Sequence, residues 1–176
     1  PEVRWLPPDE QPGPVSVPLG TKGQLVILDS QLWIDRPVLP PKGDPPTSRL
    51  AEILVANRDR HVVVAGHHPL VSHGTHGGFF DWQDHIFPGT RWIDWLWVPL
   101  PGIGTLVHPV PRWLGFSDQD LSGSGNHRFR EGLCWAFAKA PPLVHVAGHE
   151  HGLQVFRESF AEGSKTWVLV SGAGSV

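Results

Sequence analysis

VVVAGHH at residues 62–68 returns as VHVAGHE at residues 144–150. Each copy is a short apolar run that ends in Gly-His. A strand covered on both faces needs no polar alternation, so a short apolar run bounded by glycine reads as a buried strand. Two such strands in one sheet bring two histidines, His67 and His149, to the same edge. Open α/β sheets take their ligands at the carboxyl ends of the strands.

Working outward, QLVILDS at 24–30 is another buried strand, closed by Asp29. A proline-rich loop follows at 35–46. Asp44 can cap a helix there, with Pro45 at its first position. That helix carries Leu50, Ile53 and Leu54 inward and ends near Arg58. HVVVAG at 61–66 comes next, and strand, helix, strand in succession gives an α/β class. HRFREGLCWAFAKA at 127–140 is a second long helix, with Phe129, Leu133 and Phe137 on one face. LVHVAG at 143–148 is a third strand, and LQVFRES with TWVLVSG forms a hairpin. Residues 1–23, rich in proline and glycine, read as irregular.

Residues 77–125 are a Trp/Pro-rich insertion without clear periodicity. Its most apolar part is WIDWLWVPLPGIGTLVHPVPRWLGF at 92–116. Pro99, Pro101, Pro109 and Pro111, with Asp94 and Arg112, argue against a membrane span. A tryptophan-rich cap or cleft wall and simple core packing are the two readings of it.

The 176 residues suit one domain with a real core. Net charge is −3 and the pI is near 6.4, without a basic block, so a nucleic-acid partner is not expected. The single Cys134 sits in a helical pattern and is expected to pack as a small hydrophobe. The chain contains no methionine, so it is expected to be processed, trimmed or a fragment.

The histidines carry the chemistry. GHHPLVSHGTHGG at 66–78 holds His67, His68, His73 and His76 among glycines. His67 follows the strand-ending glycine as His149 does. His68 is expected to point the other way, and His68 and His73 read as exposed loop residues. In GHEHG at 148–152, residues two apart in extended backbone point the same way. His149 and His151 then reach one metal cluster while Glu150 turns aside. His145 lies inside its strand as a core residue or a support to the site. Neutral imidazole suits zinc, iron, manganese and similar ions. No Asp or Glu stands in a ligand-like place in these motifs. Three histidines could make a mononuclear zinc site with an open position, whereas a two-metal hydrolase needs carboxylates from elsewhere.

GHHP and GHEH resemble the last two motifs of the calcineurin-like metallophosphoesterases, G-H-x-P and G-H-x-H. VAGHHPLVSHGTHGG, AGHEHGLQV and WVLVSGAGS resemble more narrowly the purple acid phosphatase group, of the tartrate-resistant type. LDS at 28–30 fits the strand before them, so the resemblance runs over roughly residues 24–176. It implies a β-sandwich flanked by helices, an α+β four-layer arrangement, of which residues 1–176 would be the C-terminal half. It also implies two metal ions, iron paired with iron, zinc or manganese. His67 and His149 would hold one ion and His151 the other. His76 would stand beside the phosphate as an acid or phosphate binder, and Asp29 would not be a ligand.

The earlier motifs of that family, which supply aspartates, an asparagine, its neighbouring histidine and a tyrosine, have no match, and the chain has no tyrosine. GNHR at 125–128 is superficially similar to one of them. It follows GHHP instead of preceding it and opens a helix, so the likeness is coincidental. The absent motifs are expected before Pro1. The parent would then hydrolyse small phosphomonoesters through a metal-bound hydroxide, and this segment alone would be inactive. Its sheet is expected to be incomplete, with HVVVAG and LVHVAG lacking neighbours. An extracytoplasmic location agrees with the resemblance, but no targeting segment is there to support it. Two other readings stand beside this one: a phosphodiesterase of the same superfamily, and a non-catalytic binding module that grips sugars or lipid with its tryptophan-rich loop.

Overall fold

The computed structural model describes residues 5–35 and 45–172. Its centre is a six-stranded mixed sheet in the order β1-β2-β3-β4-β6-β5. The strands are β1 (Val15–Leu19), β2 (Gly23–Ile27), β3 (His61–Ala65), β4 (Val144–Ala147), β5 (Leu153–Glu158) and β6 (Thr166–Ser171). The pairs β2–β3, β3–β4 and β4–β6 are parallel, and the outer pairs β1–β2 and β5–β6 are antiparallel. Helices flank the sheet: α1 (Ser30–Asp35), α2 (Pro45–Ala56) and α6 (Ser124–Lys139). The architecture is therefore mixed α/β, and the hairpin of the last two strands is as expected.

Residues 1–23 are not irregular throughout. β1 pairs with β2 in register from Val15↔Ile27 to Leu19↔Gly23, across a tight turn where Gly20 takes φ 69. Proline and glycine density hid a short edge strand whose Pro18 lies on the outermost strand, where a missing N–H is tolerated. HVVVAG and LVHVAG do not lack neighbours either, because both lie inside the sheet. Asp44 lies outside the described residues. Asp29 accepts the Leu32 N–H at 3.0 Å and so ties down the start of α1.

The sheet has two unequal faces. On one, Val26, Val62, Val64, Val168 and Val170 are buried, and Leu50, Leu54, Phe129, Leu133 and Phe137 of α2 and α6 belong to the same core. Cys134 is exposed, because the phase of α6 that buries Leu133 and Phe137 turns it outward. The other face carries Val15, Val17, Leu25, Ile27, Val63, Ala65, Val144, Val146, Leu169 and Val155 in cross-strand register. None of these is fully buried, and Val155 is 57% exposed. Among the described residues no central strand is unpaired, and the apolar side chains of this second face are only partly covered.

His145 of β4 is a core residue. It is fully buried near Phe137, and neither ring nitrogen has a hydrogen-bond partner. Burial pushes its imidazole down from 6.5 to about 4. An unfolded chain takes up that proton near pH 6.5, and the folded chain only near pH 4. The stability tied to His145 is therefore complete above pH 6.5 and is lost as the pH falls to 4, by about 3 kcal/mol. His145→Leu is expected to narrow the difference in melting temperature between pH 7 and pH 4.5. An undiminished difference in the variant would remove His145 as the cause.

The insertion forms short helices, α3 (Trp82–Ile86), α4 (Ile103–Val107) and α5 (Pro109–Trp113), joined by turns. Trp82, Trp92, Trp95, Trp97 and Trp113 are all more than half exposed, so the core-packing reading of the tryptophans does not hold. No helix among the described residues is long and apolar enough to cross a membrane.

Candidate metal centre

β3 and β4 are parallel neighbours, paired from Val63↔Val144 to Ala65↔Val146. His67 and His149 each lie two residues beyond the end of their strand. The Gly148 N–H donates to the His67 carbonyl at 3.0 Å and ties the two loops together. His149 takes φ 68, a left-handed conformation unusual for a residue with a Cβ. Such strain costs on the order of 1–3 kcal/mol and gathers at functional sites. The bend brings His149 Nδ1 to 3.1 Å from His67 Nε2.

The chain is therefore not extended through GHEHG, and the two-residue alternation does not govern it. His151 is exposed and lies outside the cluster around His67 and His149. His68 takes a place there instead. It does not point away and is not exposed: its ring is fully buried, 4.5 Å from that of His149 between centroids. The hydroxyl of Ser30 explains this. Ser30 Oγ accepts the N–H groups of both His67 and His68 at 3.0 and 2.9 Å, and lies 2.9 Å from His68 Nδ1. With two N–H groups arriving, the hydroxyl proton is free to donate to that nitrogen. His73 is exposed, as expected.

Nitrogens of His67, His68 and His149 lie within 4.8 Å of one another. A tetrahedral ion with imidazole bonds of roughly 2.0–2.1 Å holds its donors about 3.4 Å apart, so the rings must turn inward to take one ion. Burial lowers the pKa of His67, helped by the neighbouring His76. It also lowers that of His68, and it pushes His149 down to about 4, again with help from His76. Burial thus favours the neutral form of all three, the form that offers a lone pair to metal, but Ser30 and Gln119 engage both ring nitrogens of His68, which must give up one of these hydrogen bonds to join an ion. No carboxylate joins this group among the described residues.

His76 stands against the cluster, its ring 4.1 Å from that of His149. The glycine-rich loop that carries it is pinned by Glu150, whose Oε1 accepts the His76 N–H at 2.5 Å. Gly74 is required there, because a Cβ would overlap the Glu150 carboxylate. Asp120 Oδ1 lies 2.8 Å from His76 Nδ1 and is also ion-paired to Arg112 Nη1. Arg112 Nη1 is itself 2.9 Å from His76 Nδ1. A carboxylate can accept from both partners, whereas one ring nitrogen cannot donate and accept at once. Nδ1–H therefore donates to Asp120, and the guanidinium does the same.

Ser30, Arg112, Gln119, Asp120 and Glu150 of this site are not visible in the sequence. Gln119 Oε1 lies 2.9 Å from His68 Nε2, and its carbonyl oxygen lies 2.9 Å from His149 Nε2. Arg112, Gln119 and Asp120 come from the aperiodic insertion, where no spacing marks them. Glu150 lies between the two motif histidines, but its buried role depends on the bend at His149.

No protein-family model and no curated protein matches the sequence. Among solved structures, the chain is similar to GAP50, the anchor in the inner membrane complex of Plasmodium, at 12% identity and a TM-score of 0.43. The match covers 92% of this chain and 36% of that one, so this chain spans about a third of the length of that protein.

Proposed function

We propose that the chain is the C-terminal half of a two-metal phosphoesterase that acts on phosphate monoesters. The observation that carries this reading is the meeting of His67 and His149, with ring nitrogens 3.1 Å apart, at the ends of two echoed parallel strands, and the His76 ring tilted against that of His149. His67 and His149 hold one ion. His151, exposed two residues further on, would hold the other together with carboxylates from a preceding N-terminal half. The open sheet face supports that partner, since ten apolar side chains in register call for a second layer. When bound, the ions supply positive charge to the phosphate and an acidified water. The residues of this chain orient and protonate. As the imidazolium, His76 gives Nδ1–H to Asp120 and presents Nε2–H to a phosphate or leaving-group oxygen, the proton it would hand to the departing alkoxide.

His76→Ala in the parent protein is expected to keep its metal and lower kcat by about a hundredfold. Metal content by elemental analysis and steady-state hydrolysis of an aryl phosphate check this together. A normal kcat would leave His76 as a plain loop histidine.

A second reading has its own observation, the exposed tryptophans of the insertion. They fit a module that binds a sugar or lipid surface through aromatic faces. Binding that survives chelation and is lost in Trp92→Ala with Trp95→Ala would favour it.

A further inference from the structure

The insertion forms an open pocket of about 260 Å³. Val107, Pro111 and Phe116 give it apolar lining, and Val107 and Phe116 are exposed at 44% and 76%. Arg112 and Asp120 give it a polar wall. Both also lie against His76 Nδ1, and the His76 ring packs at a tilt on that of His149. One guanidinium–carboxylate pair is thus shared between the cavity and the histidine cluster.

We propose that this cavity receives the organic group of the substrate, and that Arg112 binds the phosphate between it and the histidines. The inference rests on the phosphoesterase reading and names its substrate class, compact aryl or alkyl phosphate monoesters. Size argues for compact esters. The volume lies just under the ~300 Å³ at which small-molecule sites begin, and is enough to seat a ring or short chain. Chemistry argues for a carbon-bearing group, because an inorganic anion gains nothing from Val107, Pro111 and Phe116. Arg112 has five N–H donors, and the contacts to Asp120 and His76 involve only Nη1. The rest of the planar fork suits two phosphate oxygens. Asp120, only 2% exposed, fixes that fork by an ion pair shielded from water.

The test is calorimetric binding of phenyl phosphate and of inorganic phosphate to the zinc-loaded full chain. Wild type is expected to bind phenyl phosphate about tenfold more tightly than phosphate, from burial of the ring. Val107→Trp fills the cavity from its lip and is expected to erase that preference while leaving phosphate affinity unchanged. Val107→Ala enlarges the cavity and is expected to shift the preference toward naphthyl phosphate. Arg112→Gln is expected to weaken both phenyl phosphate and phosphate by about tenfold. Equal affinity for the ester and phosphate in wild type, or a preference unmoved by both Val107 variants, would overturn the subsite. Hydrolysis of the same ester by the parent protein separates the two ideas. Cavity-dependent binding without hydrolysis keeps the subsite and sinks the esterase, and hydrolysis with Val107-independent binding does the reverse.

Discussion

His149→Ala is expected to weaken metal binding by more than about a hundredfold, beyond what residues that merely orient a ligand contribute. His149 supplies a donor that burial keeps unprotonated, on a backbone already bent to φ 68 to deliver it. Alanine removes the nitrogen and the reason for the bend. His67→Ala is expected to do the same from the other strand, since the two rings share one contact at 3.1 Å. His73→Ala is the control. His73 lies on the same loop, is exposed, and packs its ring on Phe79 and Phe156 instead. Zinc titration monitored by calorimetry reads all three. Equal affinity in His149→Ala and His73→Ala would show that the cluster does not hold the ion.

The second large effect concerns the open face. Residues 1–176 produced alone are expected to self-associate at micromolar concentration, as chains with uncovered apolar surface do. Val63, Val144, Val146 and Leu169 lie at the centre of that face and keep part of their surface in water. Leu153 and Val155 extend it onto the edge strand β5, exposed at 77% and 57%. Leu153→Lys with Val155→Lys places two charges where no packing is lost, and is expected to shift the chain toward monomer. Sedimentation velocity decides the point. A wild-type chain that stays monomeric at those concentrations would show that the face needs no second layer.

What the sequence showed follows from local signals. The repeated apolar run with Gly-His marks β3 and β4 and places His67 and His149 at one edge. Helical spacing picked out Leu50, Leu54, Phe129, Leu133 and Phe137, all of which are buried. What it concealed depends on contacts distant along the chain. His68 is turned inward by Ser30, 38 positions earlier, and no pattern within the loop announces that bond. Asp120 reaches His76 from 44 positions later, across an insertion with no periodicity to read. His151 was placed by an extended-strand rule that fails once His149 enters the left-handed region. β1 was missed because its Pro18 and the glycines around it look like loop, and only its partner β2 makes it a strand.

The central proposal is that the histidines gathered by β3 and β4 belong to a metal-dependent phosphomonoesterase. The most direct measurement is phosphate release from phenyl phosphate by the parent protein before chelation, after it, and after zinc and iron are returned. The proposal requires turnover that disappears with the metals and comes back with them, and none from residues 1–176 loaded in the same way. Turnover indifferent to chelation, or metal-dependent turnover by residues 1–176 alone at the rate of the parent, would contradict it.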